Sequence, residues 1–466
     1  MGDRPRLIHQ SSPLDELAKT HFNTLIVGGG IVGAGILRDL SLHGIDTLLV
    51  EKKDFSSQTS QSSSKMLHGG IRYLENFDFA LVYEALHEKN LWIKLAPHLA
   101  KAQKFYLPIF KDSIRPLWMV RCGIFLYDFL SDFKNLARGF SDASQTKKSV
   151  AHIRESGLKG AGIYSDAIVD DGKLTIEVIL DAVQNSNAIA ASYIDANAIT
   201  KLENGLYKCI LKDDLCGITK EITCENLVIA TGPFTDKFMR NLDFVKWNDV
   251  LLPSKGSHIW VDRKDFDLKS PVLLTPNDGR VIFVIPHDNR VLIGTTEEKV
   301  SGDYFDIKPD ESEIVYLLEN MKEYFPSANI TKEKIISSFC GIRPLVKEDT
   351  GTNRSQTARE HKVFQPSKSM FVIVGGKYTT FRTMGQDITA QIVKSQNKSY
   401  NCDKTKSPLR VRCQYNFFHR PELSTERLEK IIRNEKPRTF EDIEERRILC
   451  DNYEQVLKDY LLKHTL

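Results

Sequence analysis

The chain has 466 residues, of which 41% are hydrophobic and 27% are charged, an ordinary balance for a protein with a buried core. Its 64 lysines and arginines nearly match its 61 aspartates and glutamates, and the net charge of +3 gives no global signal for nucleic-acid binding. Eight scattered cysteines without a Cys-x-x-Cys pair argue against a metal site or a disulfide framework, and they predict a reducing compartment. No window has the roughly 18 apolar residues of a membrane span, so membrane contact is expected to be peripheral.

The first strong pattern is a nucleotide-binding unit at residues 24–51, TLIVGGGIVGAGILRDLSLHGIDTLLVE. An apolar strand leads into the G-x-G-x-x-G glycines Gly28, Gly30 and Gly33, and a helix then connects to a second strand that ends at Glu51. Glu51 follows Gly28 by 23 positions, close to the spacing of about 20 in dinucleotide-binding folds. Such glycines let backbone N–H groups approach a pyrophosphate, and the acid accepts hydrogen bonds from a ribose. The motif alone also fits a structural turn, but the complete unit predicts dinucleotide binding.

The segment that follows Glu51 is rich in serine, SSQTSQSSSKMLHGGIRYLE at residues 56–75. By composition it reads as a flexible tether. Directly after a dinucleotide-binding unit, however, small hydroxyl side chains can donate hydrogen bonds to a pyrophosphate, and paired glycines permit a close approach. We therefore predict an ordered cofactor loop that runs into the active site.

A segment at residues 115–130, RPLWMVRCGIFLYDFL, is predicted to be helical. Its apolar residues favour a core helix, whereas Arg115 and Arg121 beside Trp118 also fit an amphipathic helix at a membrane interface. Three further helices are expected: one in residues 78–99 that ends at Pro97, one that opens at the turn 169–174 and runs to about Gln184, and one over 308–325. A hairpin turn is expected at Asn204-Gly205, a strand ending at Ala230, and antiparallel strands over 250–300. Beyond a polar linker that begins near 397, two or three short charged helices are expected.

Four later clusters offer polar side chains with two interpretations each. His258 lies in an expected strand, where a histidine is more often structural than catalytic. Arg343 before Pro344 fits a surface turn, and Arg359 fits a surface charge. The Gly-Gly-Lys-x-Thr-Thr run at 375–380 fits a plain strand–helix turn, although paired glycines also leave backbone N–H groups uncovered for a ligand.

Several strings occur together in a specific order: LIVGGGIVGAGI, SSSKMLHGGIRYLE, APHL, RPLWMVRCGIFLYD, VDDGKL, ATGPF, KGSHIWV, RVIFVIPHDNRVLIGTTE, GIRPLVKED and VGGKYTTFR. In order and spacing, from about residue 22 to 390, they resemble the FAD-dependent, quinone-linked glycerol-3-phosphate dehydrogenases of the D-amino-acid oxidase and glycine oxidase-like flavoprotein superfamily. The resemblance implies an α/β fold with a discontinuous Rossmann-type FAD-binding domain, an antiparallel-sheet substrate domain and a short C-terminal helical segment. The C-terminal segment is short for the family, which leaves its role open.

The resemblance also implies domain boundaries. The expected FAD-binding segments are 22–97, 163–245 and 336–397, the substrate-domain segments are 98–162 and 246–335, and the helical segment is 398–466.

The resemblance carries a set of site residues with it. FAD is expected to bind noncovalently, and Cys340 is expected to be a buried free thiol. The residues expected to bind FAD are Gly28, Gly30, Gly33, Glu51, Ser63, Ser64, Lys65, Gly232, Gly376, Lys377, Thr379 and Thr380. The substrate phosphate and hydroxyls are expected at Arg72, Tyr73, Arg343 and Arg359, because guanidinium groups bind phosphate bidentately. His258 is the first choice for the general base and His68 the second, with Lys377 as an alternative stabiliser of the developing alkoxide and Arg343 beside it.

The function implied is the oxidation of sn-glycerol 3-phosphate to dihydroxyacetone phosphate, by hydride transfer from C2 to FAD N5, with electrons passed to a membrane quinone. The alternatives are a glycerol-3-phosphate oxidase that uses O₂, an oxidase of amino acids or 2-hydroxy acids on the same fold, and a non-catalytic flavin scaffold or sensor. The expected location is the cytoplasm, at the inner face of the cytoplasmic membrane. A homodimer is a possible assembly, and no nucleic-acid partner is expected.

Overall fold

The computed structural model describes residue 8 and residues 11–347, 361–445 and 453–464. The strands in these ranges are β1 His21–Val27, β2 Thr47–Glu51, β3 Met66–Leu67, β4 Ala100–Phe110, β5 Gly139–Asp142, β6 Leu158–Val169, β7 Ala188–Ser192, β8 Ile194–Lys201, β9 Tyr207–Asp213, β10 Thr219–Ile229, β11 Leu251–Asp262, β12 Val272–Leu274, β13 Ile282–His287, β14 Arg290–Gly294, β15 Glu298–Lys299, β16 Ile335–Val346, β17 His361–Ser367 and β18 Met370–Gly375. The α-helices are α1 Ile31–Leu42, α2 Phe79–Leu95, α3 Leu117–Phe129, α4 Ala143–Ser149, α5 Asp171–Ala182, α6 Thr235–Arg240, α7 Glu311–Tyr324, α8 Phe381–Ser395, α9 Thr425–Glu435, α10 Phe440–Glu445 and α11 Tyr453–His464.

The first sheet is the nucleotide-binding one. Its strands follow the order β17-β18-β10-β1-β2-β7, and the five from β18 to β7 are parallel. These strands are apolar on both sides because α1, α5 and α8 pack on one face, while the β8–β9 hairpin covers the other. The predicted βαβ unit is therefore present, with β1 longer than expected at its start.

Two glycines permit the tight crossing at the end of β1. Gly28 has a φ of +115°, and a Cβ there would lie 2.4 Å from the carbonyl oxygen of Ala230. A Cβ on Gly33 would lie 2.0 Å from the carbonyl oxygen of Gly28. The glycine spacing thus lets α1 pack directly against the strand–helix turn, as its position in the motif indicates.

The second sheet is predominantly antiparallel. Its main path is β15-β11-β14-β13-β12-β4-β6-β3, with β16 paired to β11 and β5 paired to β6. The long β11–β16 pair places Ser254 opposite Arg343 and His258 opposite Phe339. β11 carries Gly256 and His258 on the same face because strand side chains alternate with a period of two.

Helix α3 is amphipathic, and the prediction that it is a core helix is wrong for much of its surface. Val120, Ile124 and Tyr127 are buried, whereas Trp118 and Phe125 are 68% and 60% exposed. No helix in the described ranges is both long and apolar enough to cross a membrane.

The polar segment after residue 397, predicted as a linker, is bound to the folded body, because buried side chains bind its backbone. Arg38 donates to the carbonyl oxygens of Thr405 and Ser407 at 3.0 and 2.8 Å. The short helices that follow are present, and a buried ion pair of 2.9 Å between Lys173 and Glu435 joins α5 to α9. The C-terminal segment is therefore part of the folded body.

We predict that Gly33→Ala lowers the thermal unfolding midpoint, because the added methyl overlaps Gly28 and such overpacking costs about 1–3 kcal/mol. Gly123→Ala in α3 is the matched control, since no atom lies within 4 Å of its added methyl and a helical Gly→Ala change stabilises by about 0.5–1 kcal/mol. Equal midpoints for the two variants in a thermal melt would contradict this account of the crossing.

Candidate active site

A cavity of about 750 Å³ lies between the two sheets. The carboxyl ends of β1, β2, β10 and β18 open into it, which is the place where open parallel sheets bind ligands. β11 and β16 form part of its other wall. The predicted site residues that line it are Gly28, Gly30, Glu51, Ser63, Ser64, His68, Tyr73, Gly232, His258, Arg343, Gly376, Lys377 and Thr379.

The glycine end of the cavity has the features of an anion site. Helix α1 begins at Ile31 with no side-chain cap from Gly30 and no acidic residue in its first turn, so its own side chains leave the positive end of the helix dipole uncompensated. The Ser60 hydroxyl accepts the backbone N–H of Ile31 at 2.9 Å. This serine, from the Ser-rich segment, was not predicted as a site residue.

Glu51 is held by backbone at the end of β2. Its two carboxylate oxygens accept the N–H groups of Gly29 at 2.7 Å and Lys53 at 2.9 Å. Burial raises the pKa of Glu51 to about 6. The side chain lines the cavity, where a ribose hydroxyl can use its remaining acceptor capacity.

The Ser-rich loop is ordered and joins the two sheets. Thr59 starts a short 3-10 helix, and its hydroxyl donates to the Ile342 carbonyl oxygen in β16 at 2.8 Å. The Ser63 hydroxyl donates to Asp171 at 2.6 Å at the start of α5. A Cβ at Gly341 would lie 2.5 Å from the Ser62 carbonyl oxygen, so this glycine lets the loop pass against β16. The tether suggested by composition is not what these residues form.

Lys65 lies in this loop but outside the cavity lining. Its side chain is fully buried, and its ammonium group lies 2.7 Å from a carboxylate oxygen of Asp171. Asp171 therefore binds the loop at two residues, Ser63 and Lys65. Sequence reasoning missed this residue, although paired acids at a helix start (VDDGKL) were a usable signal.

His258 is buried at the cavity wall. Its Nε2 lies 3.0 Å from the Ser64 hydroxyl, and its ring stacks on Phe339 at a centroid distance of 4.9 Å. Burial, together with the positive charges of Arg343 and Lys65, lowers the pKa of His258 to about 3. The imidazole is therefore neutral near pH 7 and can accept a proton.

Arg343 crosses from β16 to the same wall. Its guanidinium group donates to the Thr295 hydroxyl at 2.9 Å and to the Thr296 carbonyl oxygen at 3.3 Å. A Cβ at Gly256 would lie 2.4 Å from the Arg343 guanidinium, so the glycine on β11 makes room for this cation. Thr295 and Gly256 help to position this cation, and neither was predicted as a site residue.

The loop after β18 places a second cation in the cavity. Gly375 and Gly376 both have positive φ, and Lys377 extends its ammonium group over the Tyr73 ring at 4.0 Å. The Thr379 hydroxyl accepts the backbone N–H of His68 at 3.2 Å. The structure thus brings the predicted His68, Tyr73 and Lys377 regions together.

Besides Lys65, three predicted residues do not line the cavity. Gly33 packs under the glycine turn, Arg72 lies on the 3-10 helix that carries Tyr73, and the Thr380 hydroxyl donates to the Lys377 carbonyl oxygen at 3.4 Å. Arg359 lies outside the described residues.

The donor set fits FAD. Gly28, Gly30 and the start of α1 would hold the pyrophosphate, Glu51 the ribose, and the Gly376 loop the flavin side of the cavity. A cavity of about 750 Å³ is in the range of pockets that enclose a large organic ligand.

Comparison with known proteins agrees with this reading. The model of the FAD dependent oxidoreductase family matches residues 23–385. Aerobic glycerol-3-phosphate dehydrogenases of Staphylococcus haemolyticus and Staphylococcus aureus are 31% and 32% identical over 386 and 390 residues, covering 82% of this chain and 69% of theirs.

Solved structures are similar as well. The glycerol-3-phosphate dehydrogenase of Bacillus halodurans, complexed with FAD, superimposes with a TM-score of 0.68 at 29% identity, covering 84% of this chain and 68% of that one. The L-alpha-glycerophosphate oxidase of Mycoplasma pneumoniae shares the fold at 18% identity, with a TM-score of 0.63, covering 83% of this chain and 98% of that one. The chain therefore belongs to the family of FAD-dependent oxidoreductases.

Proposed function

We propose that this protein oxidises sn-glycerol 3-phosphate to dihydroxyacetone phosphate. The observation that carries the proposal is the shared wall of the cavity, where neutral His258 and cationic Arg343, on paired strands, face the same space as the glycine-rich cofactor turn. When bound, FAD supplies the acceptor, at N5, for the hydride that leaves C2. The names of these sequence relatives support the same substrate.

The cations of the cavity suit a phosphate dianion. Arg343 offers a planar guanidinium whose Nη2 is held by Thr295, which orients it before substrate arrives. Lys377 adds a compact positive charge beside Tyr73. We propose Arg72 and Arg359 as further phosphate or hydroxyl ligands, as the family resemblance implies.

The proton on the C2 hydroxyl is assigned to His258. Its Nε2 is the nitrogen that meets Ser64 at the cavity wall, and the neutral ring can accept a proton there. A phosphate dianion in the cavity favours the imidazolium form and raises the pKa of His258 toward the working pH. His68 is the second choice for the base, and Lys377 stabilises the developing alkoxide.

The substrate class has a direct test, because a 2-hydroxy acid or an amino acid needs a carboxylate clamp in place of a phosphate clamp. The holoenzyme is assayed for dye reduction with glycerol 3-phosphate, lactate and glycine. We expect turnover with glycerol 3-phosphate alone, and dihydroxyacetone phosphate as the product. Turnover of a carboxylate without turnover of the phosphate contradicts the proposal, and no reduction by any substrate favours a non-catalytic flavin protein.

We predict that His258→Ala lowers kcat by about 10²–10⁴-fold, the usual contribution of a general base, with little change in KM. His21→Ala is the control, because His21 is an exposed histidine paired with Thr223 and Glu225 on the far end of β1. Steady-state kinetics at saturating FAD measures both. A kcat close to that of the control would remove His258 from this role.

For the electron acceptor, we propose a membrane quinone reached by peripheral binding to the bilayer. An apolar platform supports this, formed by exposed aromatic and aliphatic side chains of α3 and its neighbours: Phe77, Trp118, Phe125, Phe129, Phe133 and Leu136. Arg121 and Lys134 are exposed on the same segment and suit anionic lipid headgroups. The platform adjoins the segment that carries Tyr73, because Arg115 pairs with Glu75.

We predict that Trp118→Ser combined with Phe125→Ser weakens binding to anionic vesicles by about tenfold or more, since each buried aromatic contributes roughly 1.5–3 kcal/mol. Reduction of vesicle-borne quinone falls in parallel, while reduction of a soluble dye is unchanged. The control is Val315→Ser with Ile336→Ser, which removes two exposed apolar groups outside the platform. Fast peroxide formation in air, with vesicle binding unaffected, would instead favour the oxidase alternative.

A further inference from the structure

The buried ammonium group of Lys65 lies beside the site without lining it. Besides Asp171, its Nζ contacts the Gln61 carbonyl oxygen and the faces of two aromatic rings, Phe339 at 5.2 Å and Phe417 at 5.7 Å. A desolvated cation is costly unless it is paired, and aromatic faces add a favourable interaction. These contacts therefore fix the ammonium group in one position.

Two sets of contacts connect Lys65 with His258. Asp171 accepts the hydroxyl of Ser63 as well as the Lys65 ammonium, and the next residue, Ser64, meets His258 Nε2. Phe339 contacts the Lys65 ammonium and also stacks on the His258 ring, with 10° between the ring planes.

Phe417 brings the C-terminal segment into this arrangement. It is 5% exposed, and its ring lies 5.3 Å from His287 and 6.3 Å from Trp260. Its backbone N–H donates to Asp170 Oδ2 at 2.9 Å, and the other oxygen of Asp170 caps α5, the helix that begins at Asp171. The segment is thus anchored at the helix start that holds Lys65.

We propose that Phe417 is a positioning residue for the oxidation: its ring shields the Lys65–Asp171 pair from water and so holds Ser63, Ser64 and His258 in their working arrangement. This gives the C-terminal segment a role in catalysis, and it rests on the proposed function of His258. Without the aromatic face, water reaches the ion pair, the serine loop loosens, and the imidazole becomes better solvated.

The test compares Phe417→Leu with Phe418→Leu in the holoenzyme. Leucine keeps an apolar side chain at 417 but removes the aromatic face, whereas the Phe418 ring lies over Lys101 at 4.4 Å and makes the matched control. We expect Phe417→Leu to slow anaerobic flavin reduction by glycerol 3-phosphate by about tenfold or more, with the substrate Kd unchanged. On acidification, the reduction rate of Phe417→Leu is also lost at a higher pH than that of the wild type. The reason is that better solvation raises the pKa of His258, so this base becomes protonated at a higher pH.

Asp170→Asn provides a second route if Phe417→Leu folds poorly. Asparagine still caps α5 but cannot accept the Phe417 N–H with its amide nitrogen, so the same changes are expected in weaker form. Wild-type reduction rates and an unchanged pH profile in a folded variant overturn the proposal. If the wild type itself is not reduced by glycerol 3-phosphate, the proposed function fails, and this role fails with it.

Discussion

The buried ion pair between Lys65 and Asp171 is the interaction on which the geometry of the site depends. It lies where the Ser-rich loop passes from the nucleotide-binding sheet to the antiparallel sheet, and the same aspartate holds Ser63. Breaking a buried pair by removing one partner typically costs about 3–5 kcal/mol, so this crossing is energetically well defined. The glycine-rich cofactor turn, the Ser-rich loop and His258 are therefore held in fixed positions relative to one another.

The cavity contains a neutral base and two cations, which serve different purposes. Burial keeps His258 neutral, and Arg343 and Lys377 supply positive charge to the same cavity. A substrate that carries a dianion and a hydroxyl needs both properties, because the anion must be neutralised while the proton moves to a base. A carboxylate substrate would need fewer cations. The same arrangement explains why glycine recurs at positions 256 and 376, where the backbone must pass close to a cation or a side chain.

The features that could be predicted from the residues themselves are those that depend on the spacing of nearby residues. The βαβ unit, the glycine turn and Glu51 follow from periodicity and motif within about thirty residues, and the later site residues came from the family resemblance. The direction of the Lys65 side chain did not follow, because it depends on Asp171, a partner more than one hundred positions away. The predictions for helix α3 and for the segment after residue 397 were wrong because they relied on composition. Apolar composition does not reveal which face finds a partner, and polar composition does not reveal that a buried arginine such as Arg38 binds the backbone.

Transfer of hydride from C2 of glycerol 3-phosphate within this cavity is the step on which the proposed function rests. The most direct measurement is stopped-flow reduction of the bound flavin, under anaerobic conditions, with substrate deuterated at C2 compared with substrate deuterated at C1. We expect the oxidised flavin to bleach severalfold more slowly with deuterium at C2 and at the unlabelled rate with deuterium at C1. An isotope effect from C1 alone, or no bleaching, would contradict it.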